Sequence, residues 1–99
     1  MRIISTKTLF IFFKEQHADA ESAIKEWIQK TEKSEWDSFS DIKKTFNSVD
    51  SVGNKRFVFN IRGNNYRLIA LILFKLKIVY IRFIGTHKEY DNIKDCSTI

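Results

Sequence analysis

The sequence predicts an α+β fold, with two N-terminal helices packed on an antiparallel sheet of three to four strands in one domain spanning residues 1–99. Three observations predict it. Apolar residues recur at helical spacing before residue 32, whereas from Lys55 onward they alternate or run together as in strands. The chain is 99 residues long, 43% apolar and 14% aromatic, which fills one two-layer core. It contains no proline, and no repeat or linker breaks it into parts.

The elements follow in order. Arg2, Ile3 and Ile4 read as a short strand, after which Ser5 or Thr6 caps a helix running to about Gln16. In a second helix Ala20, Ile24, Trp27, Ile28 and Thr31 share a face opposite Glu21, Lys25, Glu26, Gln29 and Lys30, with Asp19 as N-cap or first-turn carboxylate. Trp36 and Phe39 close the core edge, Ser40 with Lys43 and Lys44 marks one more helical turn, and residues 47–54 read as a loop. Phe57, Phe59 and Ile61 then alternate with Val58, Asn60 and Arg62, and Gly63-Asn64 supplies a hairpin turn whose residues tolerate positive φ. Residues 66–74 are nearly all apolar, as in a central strand buried on both faces. Residues 75–77 turn, 78–84 form a third strand, and the chain ends in a polar tail after His87-Lys88-Glu89-Tyr90.

Charge is distributed unevenly. Residues 1–49 hold eight basic and eight acidic side chains, residues 50–99 nine and four, so the formal charge of +5 belongs to the second half. Between Asp50 and Glu89 there is no carboxylate, yet Lys55, Arg56, Arg62, Arg67, Lys75, Lys77, Arg82 and Lys88 all fall there. Like charges repel, so a cationic run woven into strand formers calls for a polyanion against it, with nucleic acid the first partner to consider.

The lone Cys96 excludes an internal disulfide framework and a thiol metal cluster and fits a reducing cytoplasm. The apolar runs 9–13 and 68–74 are too short for a signal sequence or a membrane span, so a cytoplasmic protein without membrane contact is expected. His17 and His87 have no ligand cluster at metal spacing, and three glycines form no phosphate loop, so no metal or cofactor is expected. What remains is acid–base work by Lys, Arg, His and Tyr. That set suits RNA cleavage in which the ribose 2′-hydroxyl attacks its own phosphodiester, because the substrate brings the nucleophile and the protein needs only a base, an acid and cations. Arg67 and Arg82, on adjacent strands, reach one phosphate if the register allows, and Tyr90 stacks on a base or contacts phosphate. A non-catalytic RNA- or ribosome-binding module is the alternative.

The segments FVFNIRGNNYRL, residues 57–68, and IRFIGTHKEYDNI, residues 81–93, resemble the HigB family of bacterial toxins, members of the wider RelE-like fold. The N-terminal RIIS and helical pair agree in layout. The resemblance implies a ribosome-dependent mRNA endoribonuclease without a cofactor, held inactive by a helix-turn-helix antitoxin of the HigA type. It places the arginine of the YRL motif on Arg67, the histidine of the TH-x-EYD motif on His87 and its tyrosine on Tyr90. Arg82 and Lys55 occupy places where RelE-like proteins often carry basic residues, and Lys55, His87 and Lys88 compete for the role of base. Arg62, Lys88 and Arg56 are further candidates for RNA contact.

Overall fold

A computed structural model describes all 99 residues. The elements run β1 (Arg2–Ile4), α1 (Thr6–Glu15), a 3-10 turn (Ala18–Ala20), α2 (Glu21–Glu32), α3 (Phe39–Thr45), β2 (Val49–Gly53), β3 (Arg56–Ile61), β4 (Tyr66–Leu73), β5 (Ile78–Thr86), α4 (His87–Asp91) and a final 3-10 turn (Cys96–Thr98). No helix is long and apolar enough to cross a membrane.

The sheet has five strands in the order β1-β5-β4-β3-β2, and it is mixed. This corrects the expectation of a purely antiparallel sheet of three to four strands. β1 lies parallel to β5, with Arg2 opposite Ile78 and Ile4 opposite Tyr80, while the other pairings are antiparallel. Residues 47–54, expected as a loop, contain β2, because Val49, Asp50 and Ser51 take their register from Phe59, Val58 and Phe57. The β2–β3 turn is a tight one in which Asn54 and Lys55 both hold positive φ, the backbone twist that two-residue hairpins require.

α1 buries Leu9 and Phe13 and α2 buries Ile24, Trp27 and Thr31, spacings that lay one stripe of each helix on the sheet. Ser5 precedes α1 in the left-handed region and its hydroxyl makes no cap. Asp19 does not cap α2 either, but accepts a hydrogen bond from the Tyr66 hydroxyl and pairs with Arg62 at 3.2 Å. That hydrogen bond, with burial, raises the Tyr66 pKa above its usual range. The expected helical turn around Ser40 is the seven-residue α3.

Alternation along the strands divides the sheet into two faces. Phe57, Phe59, Ile61, Tyr66, Leu68, Ala70, Ile72, Val79 and Ile81 pack with the helices in the main core. Trp27 and Phe46 both meet the Phe59 ring edge-on, at 5.3 and 5.4 Å between centroids, an arrangement favoured by aromatic quadrupoles. The opposite face carries Arg56, Val58 and Asn60 of β3, Arg67, Ile69 and Leu71 of β4, and Phe83 and Gly85 of β5, which are cross-strand partners of one another. Central β4 is buried along most of its length, as its apolar run predicts. Val58 and Ile69, 3% and 0% exposed, are buried on the second face, which the carboxy-terminal segment crosses.

Candidate functional site

The second face holds three arginines, and the local structure of each explains what it can do. Arg67 begins β4, directly opposite Asn60 on one side and Gly85 on the other. It is 9% exposed, and its Nη1 donates to the carbonyls of Asn64 at 3.1 Å and Tyr66 at 3.2 Å. A guanidinium has five N–H donors. The Nε and Nη2 of Arg67 have no acceptor in the protein, yet the only enclosed orphan side-chain atoms in the chain are Trp27 Nε1 and Thr31 Oγ1, so these donors are not sealed from solvent.

Tyr90 lies over this cation, with the Arg67 guanidinium carbon 5.8 Å from the ring centroid, within cation–π range. Burial, and then the neighbouring Cys96 thiol, raise the Tyr90 pKa, with Arg67 opposing and Asp50 adding to the rise. Tyr90 is therefore a neutral phenol at physiological pH, able to donate a proton or a hydrogen bond.

His87 opens α4. Its backbone N–H donates to Asn65 O at 3.1 Å, so the loop that receives the Arg67 guanidinium also anchors the histidine. That loop turns through positive φ at Arg62 and Gly63, one residue earlier than the expected Gly63-Asn64. A Cβ at Gly63 would meet nothing within 4 Å, so the requirement there is conformational rather than steric. The His87 ring is exposed, and its Nδ1 lies 2.8 Å from Asp91 Oδ2 one helical turn on. With Nδ1 engaged, Nε2 is the nitrogen left for chemistry.

Two features fix α4, and neither was singled out in the sequence. Thr86 and Glu89 form a capping box, with Thr86 Oγ1 accepting from Glu89 N at 3.1 Å and Glu89 Oε1 from Thr86 N at 2.8 Å. The signal was present as Thr-x-x-Glu within THKE. Gly85 lets the Phe83 ring lie against the strand, because a Cβ there would sit 2.6 Å from Phe83 Cζ. Gly85→Ala is expected to destabilise the chain by about 1–3 kcal/mol, read as a lower thermal midpoint with RNA affinity falling in parallel. An unchanged midpoint would show that the ring is free to move.

Arg82 stands elsewhere. Ile69 pairs with Phe83 and Ala70 with Ile81, which leaves Arg82 as the extra residue of a bulge in β5. The bulge turns both Arg82 and Phe83 toward the second face and returns Ile84 to the core side, where it pairs with Leu68. Arg82 thus meets Arg56 rather than Arg67: Arg82 Nε donates to Ile99 O at 3.1 Å, and Arg56 Nε and Nη2 donate to the same oxygen at 3.1 and 2.9 Å. Arg56 also donates from Nη1 to Asn54 O.

The remaining candidates are dispersed. Lys55, in the β2–β3 turn, lies at the other end of β4 from Arg67, beside a cavity of about 650 Å³ that Asp37, Ile72, Leu73, Phe74, Lys75 and Leu76 also line. Arg62 is drawn toward the helical layer by Asp19, and Lys88 is exposed on α4. Arg56, Arg67 and Arg82 pair with no Asp or Glu side chain, whereas Arg62 and Lys77 do. No three His, Cys, Asp or Glu side chains converge as a metal site would require.

A small α+β scaffold with unpaired arginines on one sheet face, rimmed by a neutral phenol and a histidine–carboxylate pair, defines a class of protein suited to holding a polyanion beside proton-transferring groups. The chain belongs to the HigB toxin family, described as the RelE-like toxic component of a toxin-antitoxin system, whose sequence pattern matches residues 20–93. It is 42% identical over 52 residues to the mRNA interferase toxin HigB of Escherichia coli K12, covering 50% of each chain, and equally similar to mRNA interferase HigB of Shigella flexneri. A shorter match of 40 residues, also 42% identical, joins it to mRNA interferase HigB of Escherichia coli O6:H1 and covers 40% of this chain and 39% of that one. The chain thus spans half or less of the length of the curated relatives it matches.

Proposed function

We propose that this chain is a toxin that cleaves mRNA on the ribosome and is restrained by a helix-turn-helix antitoxin of the HigA type. The observation that carries the reading is Arg67: a nearly buried guanidinium with no carboxylate partner, two N–H groups occupied by backbone and the rest without an acceptor in the protein. Burying a charge without a counter-ion is unfavourable, and an RNA phosphate is the anion that completes the arrangement. The names of the relatives, mRNA interferases, support the same substrate.

In the proposed reaction the ribose 2′-oxygen forms a bond to phosphorus and the bond from phosphorus to the 5′-oxygen breaks, leaving a 2′,3′-cyclic phosphate and a free 5′-hydroxyl. His87 Nε2 accepts the 2′-hydroxyl proton, with Asp91 holding the ring. Arg67 stabilises the additional charge on the phosphorane-like transition state, where a preorganised donor is worth most. Tyr90, a partly buried phenol that is neutral at physiological pH, orients the nucleotide and protonates the leaving oxygen. The shallow, exposed setting of His87 supports dependence on the ribosome, since the partner then supplies the in-line geometry that a deep cleft would provide.

Mapping mRNA 5′ ends after brief induction in cells without an antitoxin tests this reading. Cuts in phase with codons, with cyclic phosphate on the upstream fragment, are expected. Growth arrest without new ends would overturn it in favour of a non-catalytic RNA- or ribosome-binding module.

A further inference from the structure

The arginine pair at the far end of the second face is already holding an oxygen, and that oxygen belongs to the chain itself. Three N–H groups from Arg56 and Arg82 converge on Ile99 O at 2.9–3.1 Å. A single oxygen offers about two lone pairs to the three donors aimed at it, so it under-supplies two guanidiniums. A phosphate, with several charged acceptor oxygens, serves them well. Neither arginine pairs with an Asp or Glu side chain.

The segment supplying the oxygen is compact and held to the sheet by few hydrogen bonds. Its turn is closed from within, Asp95 Oδ1 accepting from Ser97 N at 3.0 Å and Ser97 Oγ at 2.6 Å, and Asp95 O from Thr98 Oγ1 at 3.0 Å. Beyond the arginines, one side-chain hydrogen bond ties it to the sheet, from Asn54 Nδ2 to Ser97 O at 3.1 Å. None of residues 96–99 belongs to the buried core.

We propose that Arg56 and Arg82 form a second phosphate subsite, and that residues 96–99 are a plug occupying it in competition with RNA. Arg56 lies opposite Leu71, four residues along β4 from Arg67, about 13 Å at the usual strand rise. The two subsites therefore take different phosphates of one strand. Because Cys96 of the plug also neighbours Tyr90, the plug spans the distance between them, and RNA that displaces it reaches both. This rests on the proposed function for the choice of RNA as ligand, though not on cleavage.

A disulfide tests it. A Cβ at Gly53 would lie 3.8 Å from Ser97 Cβ, within the span of a disulfide, so Gly53→Cys with Ser97→Cys, in a Cys96→Ser background, locks the plug when oxidised. The probe is a fluorescent single-stranded RNA oligonucleotide with 2′-O-methyl groups, which binds without being cut. The oxidised protein is expected to bind at least tenfold more weakly than the same protein after reduction. Equal affinity in both states, or binding in neither, overturns the proposal. Gly53 has φ +92, where a side chain is strained; if that variant does not fold, a chain ending at Asp95 should bind the same probe several-fold more tightly than wild type, and unchanged or weaker binding overturns the proposal. Unmodified RNA run alongside separates the two readings: redox-dependent binding without scission removes the nuclease and leaves the plug standing.

Discussion

Arg67→Lys is expected to lower mRNA cleavage by about a hundredfold or more, the usual consequence of losing a preorganised transition-state donor. The substitution keeps the charge and removes the geometry. Arg67 spends one nitrogen on two carbonyls, Asn64 O and Tyr66 O, and so holds its other donors in a fixed plane under the Tyr90 ring. An ammonium on a flexible stem can satisfy those carbonyls or the phosphate, but has no planar fork with which to grip both. Single-turnover cleavage on programmed ribosomes, with a thermal melt on the same samples, checks the prediction. A fall of less than tenfold in a folded variant would remove Arg67 from its central position.

The second large effect belongs to the rim. His87→Ala is expected to reduce the rate by about two orders of magnitude or more, within the range that a positioned general base contributes. Asp91→Asn should cost roughly tenfold, because it loosens the ring and the choice of tautomer without removing the base. Both side chains are about half exposed, 48% and 56%, so the melting temperature should barely move. That separation is the informative part, since a structural role would lower stability and rate together. If His87→Ala retained full activity while Lys88→Ala lost it, the base would be the lysine on the same helix.

The meander of β3, β4 and β5 was legible because alternation at residues 57–62 and the apolar run at 66–74 follow from burial on one face and on both. β2 was not. Its five residues hold little periodic signal, and an edge strand takes its register from the partner rather than from its own side chains. Nor can three residues declare a direction, so the parallel pairing of β1 was hidden. At the site, that Arg67 and Tyr90 meet follows from α4 folding back immediately after β5, which the capping residues Thr86 and Glu89 foretold to anyone reading them. The partnership of Arg82 with Arg56 was invisible, since it depends on one extra residue in β5 that strand parity cannot anticipate. Simple alternation would set Arg82 on one face with Ile84, and the bulge parts them.

The parallel pairing of β1 with β5 also sets an order of events. β1 pairs with β5, the strand furthest from it along residues 1–99, while β3, β4 and β5 find one another through short turns. Local pairings form early and distant ones late, so the meander is expected to assemble first and to recruit the N-terminal strand and its helices at the end. α4, with His87 and Tyr90, is synthesised later still. Nascent chains therefore carry the arginine-rich strands before they carry the rim, and the basic sheet stands open until α4 has followed it out.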